Sequence, residues 1–262
     1  MKAGTINKRR YILLGLLFYI ILLIVYAPAS LVPWVLDKSG VTEFSLRNTS
    51  GSLWKGSGQL VSLISKNKAY RITQVDWNIS AGSLLLARLK AKMSFSDDAL
   101  MGKAVLSLRP GGLLIENMKL GLPASTIAQF YKPVALVSPS GNVTINSNML
   151  EISKGSIAGS AKAQWHDAGS RMSSVNPLGS YELNIISSKK GDIASINIKT
   201  LSGALNTTAS GSWNLAKSGV LSLNGHIQPT SNKAELEPLL RLIGRDLGGG
   251  KRALRINKKL SL

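Results

Sequence analysis

A period of two dominates this chain from Val41 to about Gln228, and it restricts the fold more than any other feature. RITQVDWNI sends Thr73, Val75, Trp77 and Ile79 to one side and Gln74, Asp76 and Asn78 to the other. RLKAKMSF alternates Leu89, Ala91, Met93 and Phe95 with Arg88, Lys90, Lys92 and Ser94. NVTINSNML does so with Val143, Ile145 and Met149, and YELNII with Tyr181, Leu183 and Ile185. LNTTASGSWNL groups Leu205, Ala209, Trp213 and Leu215, while VLSLNGHI groups Leu221, Leu223 and Ile227. Side chains of a strand alternate between faces, so these runs read as half-buried antiparallel strands with one face on a core and one in water.

Turn signals at 96–98, 110–112, 139–141, 189–191 and 217–219 leave only short connections, which favour hairpins and meanders over parallel crossovers. Gly155, Gly159, Gly203 and Gly211 lie in or beside strands, where bulges or tight bends are expected. Two segments read as helical. PASTIAQFY, residues 123–131, fits a short helix. AELEPLLRLIG spaces Leu236, Leu239, Leu240 and Ile243 on one helical face, with Gly244 as its stop. Pro238 is expected in the first turn, since further in it removes a backbone bond and clashes. The basic tail KRALRINKKLSL ends either in a last strand or as a mobile segment. The fold class is mainly β: a single N-terminal transmembrane helix, then a long curved antiparallel β-sheet domain with one or two short helices.

The transmembrane reading comes from the first thirty residues. MKAGTINKRR carries Lys2, Lys8, Arg9 and Arg10, and YILLGLLFYIILLIVY follows with no charge. Continued through Ala29, the apolar run approaches the ~20 residues a helix needs to cross a bilayer. Tyr11, Tyr26 and Trp34 fall where interfacial aromatic rings are favoured. The expected organisation is a cytoplasmic basic N-terminus at 1–10, a signal anchor at 11–29 and a β-rich domain at 30–262 beyond the membrane. Ala27-Pro28-Ala29 has the small-x-small spacing of a cleavage site, but the long apolar run and the prolines around it favour retention.

Composition narrows the function. The net charge of +19 is spread along the 262 residues, which gives a solvated basic surface attracted to anionic lipid headgroups or acidic partners. An exported domain does not meet the genome, so nucleic acid is not an expected partner. The absence of cysteine excludes disulfides, thiolate metal sites and thiol catalysis. His166 and His226 are the only histidines, and each reads as a packing or surface residue. No GxSxG elbow occurs, and the carboxylates are too scattered for a calcium loop. In the GGGK run, Arg245 and Arg252 occupy positions that a phosphate loop fills with glycine and Ser/Thr. No catalytic residue, cofactor or metal is expected. An apolar groove within a rolled sheet would suit an anchored lipid-binding or lipid-transfer protein, and alternation alone does not separate that groove from a filled core.

GSLWKGSG, residues 51–58, sets Trp54 between glycines just after the apolar run. Another alternating strand follows it, so it reads as a tight turn that lays Trp54 onto the core, with Gly51 and Gly56 letting the backbone bend. Trp77, Trp165 and Trp213 read as core side chains.

Taken in order, the anchor with PASLVPWV, GSLWKGSG, QVDWNISAGSLLL, LGLPAS, VSPSGNVTI, NPLGSYEL, SGSW and LEPLLRLIGRDLGGG resemble the protein N family of bacterial type II secretion systems. The resemblance runs through most of the chain. It implies a bitopic inner-membrane protein with a periplasmic β-rich domain. Such a protein is a non-enzymatic accessory or assembly component whose partners are the inner-membrane platform proteins of the machine and the lipid bilayer. Whether the anchor self-associates into a homo-oligomer stays open. The structural or partner-binding candidates are Gly51, Trp54, Gly56, Trp77, Leu122, Pro123, Trp213, Gly244 and Asp246.

Overall fold

The computed structural model describes residues 8–38, 44–65, 68–97, 100–130, 135, 137–153, 156–187, 193–214 and 219–259. The chain divides into two compact units, residues 1–81 and 82–262. Every strand pairing described within either unit is antiparallel, as the alternation predicts.

The first unit holds helices α1 (Lys8–Val25) and α2 (Leu31–Lys38) and strands β1 (Phe44–Gly51), β2 (Lys55–Ser65) and β3 (Lys68–Ser80). β1 pairs with β2 and β2 with β3. Thr73, Val75 and Trp77 are 3%, 2% and 6% exposed, whereas Gln74, Asp76 and Asn78 face water. The core of this unit is Ala29, Leu46 and Trp77, with Val32, Leu36, Leu60 and Ile79 packed around it.

Helix α1 ends four residues before the end of the expected span of 11–29. It stops at Val25, and its charge-free part is residues 11–25. Among the described residues no helix is long and apolar enough to cross a membrane. Pro28 is the reason for the stop. Its ring would collide with the Ile24 carbonyl four residues back, and it has no N–H to offer that carbonyl. Ala27 and Ala29 instead turn into the unit, 5% and 2% exposed, and Pro28 forms a β-bridge with Ser52.

The second unit is an eleven-stranded meander: β4 (Leu89–Ser96), β5 (Met101–Arg109), β6 (Gly112–Pro123), β7 (Pro139–Ser153), β8 (Ser156–Ser170), β9 (Gly179–Ser187), β10 (Ile193–Gly203), β11 (Leu205–Asn214), β12 (Val220–Pro229), β13 (Asp246–Gly248) and β14 (Lys251–Lys259). Each strand neighbours the next in sequence up to β12, which pairs with β14; β13 lies outside β14. Helix α3 (Ala124–Phe130) follows β6, and α4 (Lys233–Ile243) lies between β12 and β13. One face of the sheet packs Ile196, Ala209 and Leu223 with Leu183, Ile185 and Trp213. At one end, α4 presses Leu236 and Leu240, 0% and 1% exposed, onto Leu178, Leu205 and Ile227.

Several details depart from simple alternation. Residues 139–141 are not a turn but the start of β7, with Gly141 at a register shift. Ser147 follows Val143 and Ile145 onto the inner face, but a second shift between Asn146 and Met149 then leaves Met149 45% exposed, so Met149 does not share that face. Asn48, Asn117 and Asp167 take left-handed φ values of 49°, 52° and 49° at shifts in β1, β6 and β8. Short polar side chains tolerate that conformation, and each extra residue kinks its strand. Pro238 sits inside α4 rather than in its first turn, because the helix already starts at Lys233. The missing N–H is tolerated where Leu236 and Leu240 supply the packing. The described part of the tail, residues 251–259, is a strand, β14. Gly155, Leu215 and the 189–191 turn lie outside the described residues.

Candidate functional site

The first unit gathers four of the singled-out residues where α1 meets the sheet. Gly51 ends β1 with φ +89°, a conformation L side chains rarely adopt, and pairs with Gly56 across the hairpin. The Ser52 amide donates to the Lys55 carbonyl at 2.9 Å, and the Lys55 amide to Ser52 Oγ at 3.1 Å, which closes the turn. A Cβ on Gly56 would collide with the Ser50 carbonyl and the Trp77 ring, so only glycine lets the indole lie there.

Trp54 does not enter the core. It is half-buried, and its Nε1 donates to the Ile24 carbonyl at 2.8 Å. That is the carbonyl for which Pro28, four residues on, has no N–H. A helix end leaves its last carbonyls without intrahelical donors, and here a side chain thirty residues away supplies one. The main chain binds the same corner: the Leu53 amide donates to Ala27 O at 2.8 Å, and the Ala29 amide to Gly51 O at 3.2 Å. Trp77 is the buried member. Its Nε1 donates to Leu53 O at 3.1 Å, while the Ile79 amide donates to Trp54 O at 2.6 Å. The two indoles thus clasp this corner from two points, Trp54 at the end of α1 and Trp77 at the turn whose main chain bonds Ala27 and Ala29.

Beyond this clasp, α1 has no packing partner among the described residues. Tyr11, Phe18 and Tyr26 are 64%, 62% and 77% exposed, and the aliphatic side chains between them are exposed too.

In the second unit the remaining candidates are dispersed. Leu122 and Pro123 close β6 before α3, half-buried opposite Val143 and Asn142. Trp213 packs in the sheet core, and its Nε1 is buried with no acceptor among the described residues. Trp165 Nε1 donates to Ser140 O at 2.8 Å, and its ring meets Tyr181 at 6.2 Å. Burial pushes the Tyr181 hydroxyl up to about 12, and that hydroxyl donates to Leu205 O. Gly244 is extended, and a Cβ there would strike the Ala253 carbonyl. Asp246 pairs with Arg252 at 3.3 Å, and Arg252 also meets Glu237 of α4 at 2.8 Å. That corner fastens α4 and β13 to β14.

Glu182 escaped the sequence reading, because an acid in an alternating strand reads as solvated. It is 4% exposed. Hydrogen bonds from Asn184 and Gln164, then from Lys199, and the charge of Lys162 bring its carboxyl down to about 2. Lys199 approaches it to 3.1 Å and Lys162 to 3.4 Å. It is a polar staple across β8, β9 and β10. His166 and His226 are half-buried on β8 and β12. Among the described residues no group of three or more His, Asp or Glu could hold a metal ion.

A clasped apolar helix, short helices packed on strands and ion pairs that fasten neighbouring strands define an antiparallel β-sheet protein. Comparison with known families makes that class specific. The chain belongs to the type II secretion system protein N family, whose model matches residues 42–255. It is therefore a component of the type II secretion machinery, an envelope system, and such components are typically non-enzymatic. No curated protein and no solved structure matches the chain.

Proposed function

We propose that this protein is a non-enzymatic accessory or assembly component of the secretion machinery. In this reading α1 anchors it in the inner membrane, its N-terminus is cytoplasmic, and its sheet stands in the periplasm to bind platform proteins. The observation that carries the reading is the apolar surface of α1, exposed from Tyr11 to Tyr26 while its C-terminal end is clasped by Trp54. At 1.5 Å per residue the charge-free residues 11–25 of α1 are about 22 Å long, shorter than the ~30 Å hydrocarbon core, a mismatch that local thinning of the bilayer accommodates. Tyr26 and Trp34, both exposed, then lie at the headgroup level that aromatic rings favour. In the same reading Ala27-Pro28-Ala29 stays uncleaved, because both alanines are buried in the clasp.

The chain has no cysteine, so single-cysteine labelling reports topology cleanly. Lys55→Cys should react with a membrane-impermeant maleimide in spheroplasts, Ala3→Cys should not, and alkaline carbonate should leave the protein in the membrane. Release by carbonate refutes the anchor. Normal secretion and normal platform assembly in a deletion strain refute the assembly role.

A further inference from the structure

We infer that the outer edge of β14 is a docking site for one extended, acidic strand of a partner protein. The inference deepens the partner-binding reading above and rests on it for the partner's being a protein of the machinery. β14 runs beside β12 without a register shift, from Val220 opposite Lys259 to Ile227 opposite Arg252. On its other side the three-residue β13 reaches only Lys251 and Arg252, and the Ala253 amide donates to the Arg245 carbonyl at 2.8 Å. That bond fixes the direction of the rest. Backbone groups of an antiparallel strand alternate between its two sides, so Ala253, Arg255, Asn257 and Lys259 turn N–H and C=O away from β12, while Leu254, Ile256 and Lys258 turn theirs towards it. Past Ala253 no described strand meets the outward set.

A straight open edge is a template for another strand, and sheets ordinarily blunt it. β1, the outer strand of the first unit, is blunted. Its register shifts between Arg47 and Ser50, Asn48 is left-handed, and the Gly51 carbonyl is taken by the Ala29 amide. Along β14 the outward groups recur without a bulge about every 6.8 Å. An extended polypeptide matches that spacing with its own amides and carbonyls; an acyl chain has neither.

The side chains select the strand. Arg255, Asn257 and Lys259 are exposed on the polar face. On the core face Leu254 packs against the cluster of Ile196, Ala209 and Leu223, and Ile256 is left 37% exposed at its end. A second β14 does not fit. In registers clear of β13 it would set Arg255 directly or diagonally across from Arg255 or Lys259 of the copy, and like charges so placed are destabilising. Two chains of net charge +19 repel each other besides. What these cations repel in a copy they attract in an acidic strand. The occupant therefore carries carboxylates on the face of Arg255 and Lys259 and an apolar side chain over Ile256.

The test uses the full chain in neutral phosphatidylcholine nanodiscs and a fluorescent peptide of alternating Glu and Val. The peptide should bind and slow hydrogen exchange at the Arg255 and Asn257 amides by about tenfold or more, while Leu254 and Ile256, already bonded to β12, change less than about twofold. Only one set of the peptide's backbone nitrogens, those of Glu or those of Val, can face β14. Methylating that set should abolish binding, and methylating the other should not. N257P removes an outward N–H and spares the β12 ladder, so it should weaken binding by about tenfold or more. R255E/K259E should lose the Glu peptide and gain a peptide of alternating Lys and Val. K103E/K119E makes the same charge change at facing positions of β5 and β6 and should leave binding within about threefold. No binding, equal effects of the two methylations, unchanged exchange at Arg255 and Asn257, or an equal loss in K103E/K119E would each overturn the inference. Protection of the same amides that grows with protein concentration, with no peptide present, would assign the edge to a second copy and overturn it as well. A deletion strain that secretes normally would refute the assembly role and leave peptide binding as it is, so the two readings fail separately.

Discussion

Replacing Trp77 with alanine tests the clasp most directly. The side chain is 6% exposed and packs on Ala29 and Leu46, and its indole donates to Leu53 O. Truncating a buried aromatic of this kind costs roughly 3–5 kcal/mol. One factor of ten corresponds to about 1.4 kcal/mol, so local opening should become about two to three and a half orders of magnitude more frequent. Two amides report that opening: Leu53, bonded to Ala27 O, and Ala29, bonded to Gly51 O. Hydrogen exchange of the full chain in micelles should show both amides accelerating by ~10² or more in Trp77→Ala. Trp77→Phe keeps most of the packing and loses one hydrogen bond of about 1 kcal/mol, so it should accelerate them only about fivefold. Amides of β10 and β11, in the other unit, serve as the internal reference. If Leu53 and Ala29 exchange in Trp77→Ala within about threefold of the parent, Trp77 does not hold the corner and the clasp is wrong.

Leu236→Ala should destabilise the second unit by roughly 2–5 kcal/mol in urea unfolding, because the side chain is 0% exposed under α4. Gly56→Ala should lower the Tm well beyond the effect of Gly82→Ala, since a Cβ at Gly56 meets the Ser50 carbonyl and the Trp77 ring while one at Gly82 meets nothing. The Glu182 carboxyl falls from its ordinary 4.5 to about 2, so its contribution is fully present above pH 4.5 and lost as pH drops towards 2. Glu182→Gln should therefore flatten the acid limb of a Tm-against-pH curve between those values; an unchanged limb would refute the staple.

Strand identity was legible because the described part of β3 and β11 keep a period of two, and burial follows it. The clasp was half legible. A tryptophan in a glycine turn drew notice, but its destination depended on a carbonyl, and the only mark of that carbonyl was Pro28 four residues later. Bulges hid for a related reason: Asn117 and Asp167 look like ordinary polar positions until the left-handed backbone appears. Glu182 and the facing Lys103 and Lys119 depend on which strand lies beside which. Register between strands is settled by turn lengths and bulges together, and no single stretch of sequence carries it.

Within the second unit, the strand order from β4 to β12 repeats the order of synthesis. Each new strand finds its partner in the one made just before, so little chain entropy is spent in searching, and sequence-local pairing of this kind is the fast route to a sheet. A chain delivered N-terminus first can therefore grow its sheet one hairpin at a time. Only the last pairing, β12 with β14, must wait for α4 and β13 to be in place. Until then β12 is a growing edge; β14 then covers it, and the three-residue β13 shields only the first residues of the new edge.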